Sequence, residues 1–422
     1  MNKSFLKTEI FAGLTTFLTM AYIVIVIPSV LSTSGTGIPF SGGLTSTVLL
    51  TTLMTLMMGI YARLPYAIAP GIGLNAFFVY SLILGSSVPA PIALGIVFWS
   101  GLLFLIVAFS PLQLKIAHAI PENLRFAAAT GIGLFLTFIG LKNGGIVVSD
   151  PATLVQLGRL NQETAFVFFG FCLMIILLRR KSPFAFLSGI LLITVLSLLT
   201  GQTHLPDQWW SKPDFSSTLL KADLKGALSW AFLPAIFTIF FTALFDSIST
   251  FVAISYSGDL KDQQGQPLRL REGMIVSAWG SIAGSILGNS PGTSYIESAA
   301  GIEAGGRSGW TAIVAGLLFL PCLFLAPIVQ VIPVSATAPV LVLVGAMMFR
   351  NVKNLQVSQF EDLVPAFLTI VLIPLTFSIT QGILWGLITH SVLYLCVGRR
   401  RELSPVLMAL CFISAVLVVL DL

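Results

Sequence analysis

Two short stretches of this chain share one pattern: Ala69-Pro-Gly-Ile-Gly-Leu-Asn-Ala-Phe-Phe78 and Ser290-Pro-Gly-Thr-Ser-Tyr-Ile-Glu-Ser298. Each contains a Pro-Gly pair, followed by a polar residue, Asn75 or Glu297, among apolar neighbours. Pro and Gly interrupt the hydrogen-bond ladder of a helix, and within a membrane such an interruption is tolerated only where it faces protein or a water-filled cavity. Matching interruptions in the two halves of a chain are typical of a transporter binding site.

The composition of the 422-residue chain requires a membrane around it. Hydrophobic residues make up 56% of the sequence and charged residues only 9%, and the mean hydropathy is +0.96. A globule of this size could not bury so much apolar surface in its own core. The composition therefore excludes a water-soluble enzyme, a disordered protein and a coiled coil, and it predicts an all-α integral membrane protein.

Fourteen apolar segments alternate with short polar connections, and the first is about as long as the roughly 20 residues that cross a bilayer. The segments are 10–30, 44–62, 66–84, 89–110, 123–141, 164–179, 184–200, 229–256, 272–288, 291–304, 309–328, 334–349, 362–377 and 380–397. A fifteenth apolar stretch, 405–420, follows, and its composition leaves open whether it crosses the membrane. No connection is long enough for a soluble catalytic domain.

The distribution of basic residues supports this count. If the N-terminus is cytoplasmic and all fourteen segments cross, 17 of the 22 Lys and Arg residues lie on the cytoplasmic side, and five lie outside: Lys142, Arg159, Lys212, Lys221 and Lys225. Positive residues favour the cytoplasmic side, so the basic residues indicate orientation rather than binding to nucleic acid.

The two Pro-Gly interruptions indicate an internal repeat, because Pro70 and Pro291 are 221 residues apart. Seven spans per half is an odd number, so the two halves are predicted to be inverted.

Two carboxylates lie deep in these segments. Asp246 is near the middle of segment eight, and Glu297 directly follows the interruption in segment ten. A charged side chain at this depth costs at least about 2.5–3.5 kcal/mol, and such acids usually face a cavity on a substrate or proton pathway. The structural alternative is a carboxyl group held by nearby hydroxyl groups. Glu303, beside Arg307, is instead expected to form an ion pair at the end of its segment.

Four stretches resemble one protein family: Glu9-Ile-Phe-Ala-Gly-Leu-Thr-Thr-Phe-Leu-Thr-Met-Ala-Tyr-Ile23, the stretch from Ala69 to Phe78, Phe245-Asp-Ser247, and Tyr295-Ile-Glu-Ser-Ala-Ala-Gly301. Together they are similar to the AzgA-like branch of the nucleobase–cation symporter-2 family, and the similarity covers almost the whole chain. Members of this branch are permeases for adenine, guanine and hypoxanthine.

The resemblance implies a fold of fourteen spans in two inverted repeats of seven, the UraA-like arrangement, with a short strand in each of the broken segments three and ten. It implies a core domain made of residues 1–122 and 229–330, and a gate domain made of residues 123–228 and 331–422. It also implies a homodimer in the bacterial inner membrane, which is the plasma membrane.

The resemblance further implies a secondary transporter, not an enzyme, that imports purine nucleobases by proton symport as the core moves like an elevator against the gate. No cofactor is expected, and protons are expected as the coupling ion rather than sodium. By position, Asp246 and Glu297 match the acids that bind the base and transfer the proton. The other predicted substrate-binding residues are Asn75, Phe77, Phe245, Thr293 and Ser294.

The chain departs from the family in the strand that contacts the base. The family usually has Gly-Thr-Ser-Thr-Val-Thr before the acid of segment ten, where this chain has Gly288-Asn-Ser-Pro-Gly-Thr293. Xanthine or uracil therefore stays open as the cargo. An inorganic anion is a second alternative on the same fold, although two acids would repel it unless they are protonated. A membrane-embedded enzyme is a third class, but the three His and four Cys residues are scattered and form no predicted nucleophile or metal site.

Overall fold

The computed structural model describes residues 3–110, 121–258, 260–261 and 267–420. The described part is mainly helical, and eight of its helices are long and apolar enough to cross a bilayer. Three shorter apolar helices accompany them. The prediction of a helical polytopic membrane protein is therefore confirmed, whereas the count of fourteen spans stays a prediction.

The first half of the chain contains eight helices and three strands in its described residues. They are α1 (Lys3–Met20), α2 (Ile23–Leu31), α3 (Phe40–Met57), β1 (Ile68–Pro70), α4 (Ile72–Ala76), α5 (Ala90–Phe109), α6 (Glu122–Asn143), β2 (Val147–Asp150), β3 (Leu154–Leu157), α7 (Gln162–Arg179) and α8 (Ala185–Leu199). Wider π-helical turns extend α3 over Met58–Ala62 and α4 over Phe77–Gly85. Strands β2 and β3 form a small hairpin between α6 and α7.

The second half begins with two short 3₁₀ turns, Gly226–Leu228 and Trp230–Phe232. Its further elements are α9 (Leu233–Gly258), α10 (Leu270–Leu287), β4 (Gly292–Ser294), α11 (Ser298–Glu303), α12 (Gly309–Phe319), α13 (Ala326–Gln330), α14 (Val334–Phe349), α15 (Phe360–Thr376), α16 (Ile379–Cys396) and α17 (Pro405–Leu420). Further 3₁₀ turns follow α12 (Leu320–Phe324), α14 (Arg350–Asn354) and α16 (Arg400–Glu402).

The helices pack in two sets, each drawn from both halves of the chain. In one set, α5 packs on α9 and α10, while α12 packs on α1 and α3. In the other set, α6 packs on α14, α15 and α16, and α7 packs on α8 and α14. Fewer contacts join the sets, among them those of α2 with α14 and of α9 with α16. We call the first group the core set and the second the gate set, after the predicted domains. That the two sets are separate domains that move against each other stays a prediction.

The first apolar segment is interrupted, although the sequence predicts one continuous helix there. Helix α1 ends at Met20, and a turn at Ala21–Tyr22 leads into α2. The Thr19 hydroxyl bonds to the carbonyl of Thr15, a contact that commonly bends helices. Pro28 lies inside α2 and has no backbone N–H for the helical ladder. Both features weaken the helix near the turn.

The Glu9 side chain connects α1 to the start of α12 through hydrogen bonds. Its side chain is 1% exposed. One oxygen, Oε1, accepts a hydrogen bond from the backbone N–H of Arg307 at 3.0 Å, and Oε2 accepts bonds from the N–H and hydroxyl of Thr311. An acid at a helix N-terminus also interacts favourably with the helix dipole. Glu9 is therefore a structural residue.

We expect Glu9→Ala to lower the midpoint temperature of unfolding in detergent by several degrees. The substitution leaves donors at the start of α12 without their acceptor, and a hydrogen bond to a charged group is worth about 1.5–3 kcal/mol. Fluorescence-detected melting of the purified protein measures the change. Glu163→Ala, at an exposed acid, is the matched control. Equal midpoints for the two variants would contradict the role of Glu9.

The predicted ion pair between Glu303 and Arg307 is wrong. Arg307 donates through Nη1 to the carbonyl oxygens of Ile302 and Gly306, at 2.5 and 2.8 Å. These carbonyls belong to the last turn of α11 and the chain after it, where a cation is favourable. Glu303 pairs instead with Lys181, at 3.2 Å, and both side chains are largely exposed. Such a pair contributes little to stability.

The last apolar stretch forms helix α17, which packs on α16 and α9. Val418, near its end, packs with Leu384, near the start of α16. Helix α17 therefore runs antiparallel to α16, over a length of about 24 Å for its sixteen residues.

Candidate functional site

The two broken segments meet in a short antiparallel pair of strands. In β1 and β4, Ile68 lies opposite Ser294, Ala69 opposite Thr293 and Pro70 opposite Gly292. The expected strands in segments three and ten are therefore present, and they pair directly with each other. Helices α3 and α10 pack on the pair.

Side chains satisfy the outer backbone groups of this pair. The Thr55 hydroxyl accepts from the N–H of Ile68 and donates to its carbonyl, both at 3.0 Å. The N–H of Ala67 donates to the Ser298 hydroxyl at 3.0 Å. Backbone groups in lipid cost free energy unless they are bonded. These contacts make non-helical backbone tolerable inside the membrane.

Two glycines bring β4 against α10. A Cβ atom added at Gly280 would lie 3.0 Å from the carbonyl oxygen of Gly292, and one added at Gly292 would lie 3.1 Å from that of Gly280. Both distances are shorter than an ordinary van der Waals contact of about 3.5–4.0 Å. Any larger side chain at either position would displace the strand from α10.

Glu297 lies at the entrance of the short helix α11, just after β4. Its side chain is partly exposed, although its neighbours Tyr295 and Ser298 are buried. Oxygen Oε1 accepts a hydrogen bond of 2.6 Å from the hydroxyl of Tyr22, which lies at the turn between α1 and α2. The carboxyl group therefore has one fixed partner and keeps accessible surface.

Asp246 lies on α9, which packs close to Glu297. Helix α9 packs on both β4 and α11. The Asp246 carboxyl group interacts with the Thr293 hydroxyl and electrostatically with Glu297. Like Glu297, it is partly exposed. Two acids that are far apart in sequence thus face one small region around the strand pair.

Tyr22 and Tyr295 also belong to this region, and neither is among the binding residues predicted from the sequence. The Tyr295 hydroxyl donates to the carbonyl of Pro70, and its phenol interacts electrostatically with Asp246 and Glu297. Tyr295 directly follows β4 and is two residues after Thr293. Alternation along an extended chain puts two such residues on one side, and this is the signal that could have found Tyr295. No local pattern marks Tyr22 within its apolar segment.

Three of the predicted binding residues have other partners. The Ser294 hydroxyl lies 3.4 Å from that of Ser277 on α10. Asn75 is buried, and its Nδ2 contacts the carbonyl of Ile27 at 3.4 Å, while its Oδ1 has no hydrogen-bond partner among the described residues. Phe77 is fully buried at the start of the π-helical turns. The structure thus brings Asp246, Glu297 and Thr293 together, and the binding role of all seven predicted residues stays a prediction.

Phe245 borders a cleft beside the acidic pair. The cleft lies between α9 and the starts or middles of α6, α15 and α16. The guanidinium carbon of Arg125 lies 5.8 Å from the centre of the Phe245 ring, within cation–π distance. Asp246 is the next residue along α9, but it is not among the residues that line this cleft.

The chain matches a known protein family over most of its length. The model of a permease family, Xan_ur_permease, matches residues 7–384. The chain belongs to this permease family. The resemblance to nucleobase–cation symporter-2 proteins seen in the motifs is thereby confirmed.

Two curated relatives of this permease match it along nearly its whole length. Adenine permease AdeP of Escherichia coli (strain K12) is 36% identical over 410 residues, which are 96% of this chain and 92% of AdeP. Guanine/hypoxanthine permease PbuG of Bacillus subtilis (strain 168) is 36% identical over 415 residues, which are 96% of this chain and 94% of PbuG. Both relatives are transporters rather than enzymes by their names.

A solved structure shares the fold of the permease. The transmembrane domain of the cyanobacterial bicarbonate transporter BicA aligns with a TM-score of 0.68 over 92% of this chain and 98% of that domain. The sequence identity is 15%. The match therefore concerns the fold and carries no information about the cargo.

Proposed function

We propose that this permease imports purine nucleobases across the plasma membrane by proton symport. The observation that carries the proposal is the meeting of Asp246 and Glu297 beside the paired strands β1 and β4. Purine permeases among the relatives, such as AdeP and PbuG, support the choice of cargo.

Purine bases suit such a site chemically. An ionised carboxylate only accepts hydrogen bonds, and the ring and exocyclic N–H groups of a purine are donors. Charge-assisted bonds of this kind are about twice as strong as neutral ones. The flat face of the base can stack on an aromatic ring, and Phe245 is the partly exposed ring next to Asp246. Glu297 and Asp246 would bind the edge of the base, and Thr293 would orient Asp246.

Proton coupling follows from two acids in one site. Two neighbouring carboxylates repel each other, so a proton bound to one of them relieves the repulsion. A base and a proton would then bind together and leave together. We assign the alternating access to movement of the core set of helices against the gate set, with a cytoplasmic N-terminus. In a homodimer of the permease, contact between the two gate sets would keep them stationary while each core set moves.

A thermal-shift panel on the purified permease tests the cargo. Adenine, guanine, hypoxanthine, xanthine, uracil and sulfate are each added to the wild type and to Glu297→Gln. A ligand that binds only the native state stabilises it by mass action. Stabilisation by a purine, lost in the variant, supports the proposal. Stabilisation by uracil, xanthine or sulfate alone would replace purines by that cargo, and no shift with any base would overturn it.

We expect accumulation of the base to stop when the proton gradient is collapsed. Proteoliposomes with an imposed gradient take up radiolabelled base, and an uncoupler is added during uptake. Accumulated base should then leave until the two sides are equal, because only the gradient drives concentration. A sodium gradient of the same size is the control. Accumulation that persists with sodium and without the proton gradient would identify sodium as the coupling ion.

A further inference from the structure

Tyr22 contacts both the acidic site and a helix of the opposite set. Its side chain is completely buried. The hydroxyl donates to Oε1 of Glu297 at 2.6 Å, and the ring centre lies 4.6 Å from that of Phe186, with the planes tilted by 50°. Phe186 belongs to α8, which packs on α7 and α14. One side chain thus joins the carboxylate of the core set to a helix of the gate set.

The backbone at Tyr22 is suited to movement of this side chain. Tyr22 is part of the turn between α1 and α2, and the helical ladder is interrupted there. Helix α1 is held against α11, because a Cβ atom at Gly301 would lie 2.0 Å from the Thr16 hydroxyl oxygen. The first part of the segment therefore stays with Glu297, while the side chain at the turn reaches α8.

We propose that Tyr22 is a positioning residue that holds Glu297 for the base and transmits the state of this carboxyl group to helix α8 through Phe186. The inference rests on the proposed function. When a base or a proton engages Glu297, the acceptor oxygen that Tyr22 uses changes its position or its charge. The phenol follows its acceptor or loses the bond, and its ring moves against Phe186. Coupling between two regions requires a contiguous set of contacts of this kind.

Two variants separate the two contacts of Tyr22. Tyr22→Phe removes the hydroxyl and keeps the ring against Phe186, whereas Phe186→Leu removes the ring contact and keeps the hydroxyl. Tyr66→Phe is the matched control, because Tyr66 is completely buried and its hydroxyl has no hydrogen-bond partner among the described residues. Base affinity is measured by calorimetry, and net uptake is measured in proteoliposomes.

We expect Tyr22→Phe to weaken base binding about tenfold and to raise KM by a similar factor, in line with the loss of a bond to a charged group. Phe186→Leu should leave the affinity unchanged and lower the maximal rate of net uptake severalfold. In the double variant, the effect of Phe186→Leu on the rate should largely disappear, because the effects of substitutions at residues in contact do not add. Tyr66→Phe should match the wild type.

An infrared measurement tests the Tyr22 bond without any base. The carboxyl band of Glu297 is assigned by its disappearance in Glu297→Gln, and it should shift in Tyr22→Phe but not in Tyr66→Phe. An unshifted band, or a Tyr22→Phe protein that binds base as the wild type does, would overturn the positioning role. Wild-type rates in Phe186→Leu would overturn the link to α8. A wild type that binds no base refutes the proposed function, while the band still tests Tyr22.

Discussion

We expect Glu297→Gln to reduce the initial rate of uptake of the proposed purine cargo by about a hundredfold or more. Glutamine has nearly the same size as glutamate, so the strand pair and α11 keep their packing. The change removes the negative charge that binds the base and the only group at this position that can take up a proton. A hydrogen bond to a charged group is worth about 1.5–3 kcal/mol, and 1.4 kcal/mol corresponds to a factor of ten. The loss of the proton-accepting group lowers the rate further.

Radiolabelled uptake into cells or proteoliposomes, at equal amounts of inserted protein, measures this effect. Glu303→Gln is the matched control. It makes the same chemical change six residues further on, at an exposed side chain that, among the described residues, pairs with Lys181. We expect the control to transport at the wild-type rate. Wild-type uptake by Glu297→Gln would remove Glu297 from the site.

We expect Asp246→Asn to weaken binding of the proposed base by about tenfold to a hundredfold and to lower uptake in proportion. Asparagine keeps the shape and still offers an oxygen to Thr293, but a neutral acceptor makes a weaker bond than a carboxylate does. The substitution also removes the charge that repels Glu297, so the proton dependence of uptake should become shallower. Equilibrium binding of the base to purified protein measures the first effect.

Asp207→Asn is the control for this change, because Asp207 lies exposed in the connection before α9. Its affinity and uptake should equal those of the wild type. If Asp246→Asn bound and transported purines with unchanged constants, the electrostatic contact with Glu297 would have no part in transport, and the proton would have to be carried elsewhere.

The sequence predicted the site best where chemistry and location in the membrane coincide. Asp246 and Glu297 stand out because an acid at bilayer depth is costly, and the structure brings the two together. The Pro-Gly pairs marked the interrupted segments, and the family resemblance supplied the strands β1 and β4. The register of the strand pair, in which Ala69 lies opposite Thr293, could not be predicted from the sequence and is seen only in the structure.

The sequence predicted partners and breaks less well. Tyr22 lies 275 residues before Glu297, within an apolar run in which a tyrosine has no distinguishing neighbour. An ion pair between Arg307 and Glu303 is predicted because the two residues are close in the chain. The guanidinium group of Arg307 instead binds backbone carbonyls at and after the end of α11. Ser294 and Thr293 are both predicted to bind the substrate, but neighbouring residues of a strand point to opposite sides. The two side chains therefore cannot both face the same ligand.

The pairing of β1 with β4 also sets an order for biogenesis. Ile68 and Ser294 are 226 residues apart, so strand β1 is synthesised long before its partner. Contacts of such separation form late, because a large loop must be closed first. Until β4 has been inserted, the backbone groups of β1 have no strand to pair with inside the bilayer. The first repeat therefore lacks the strand that pairs with β1 until the second repeat has been inserted.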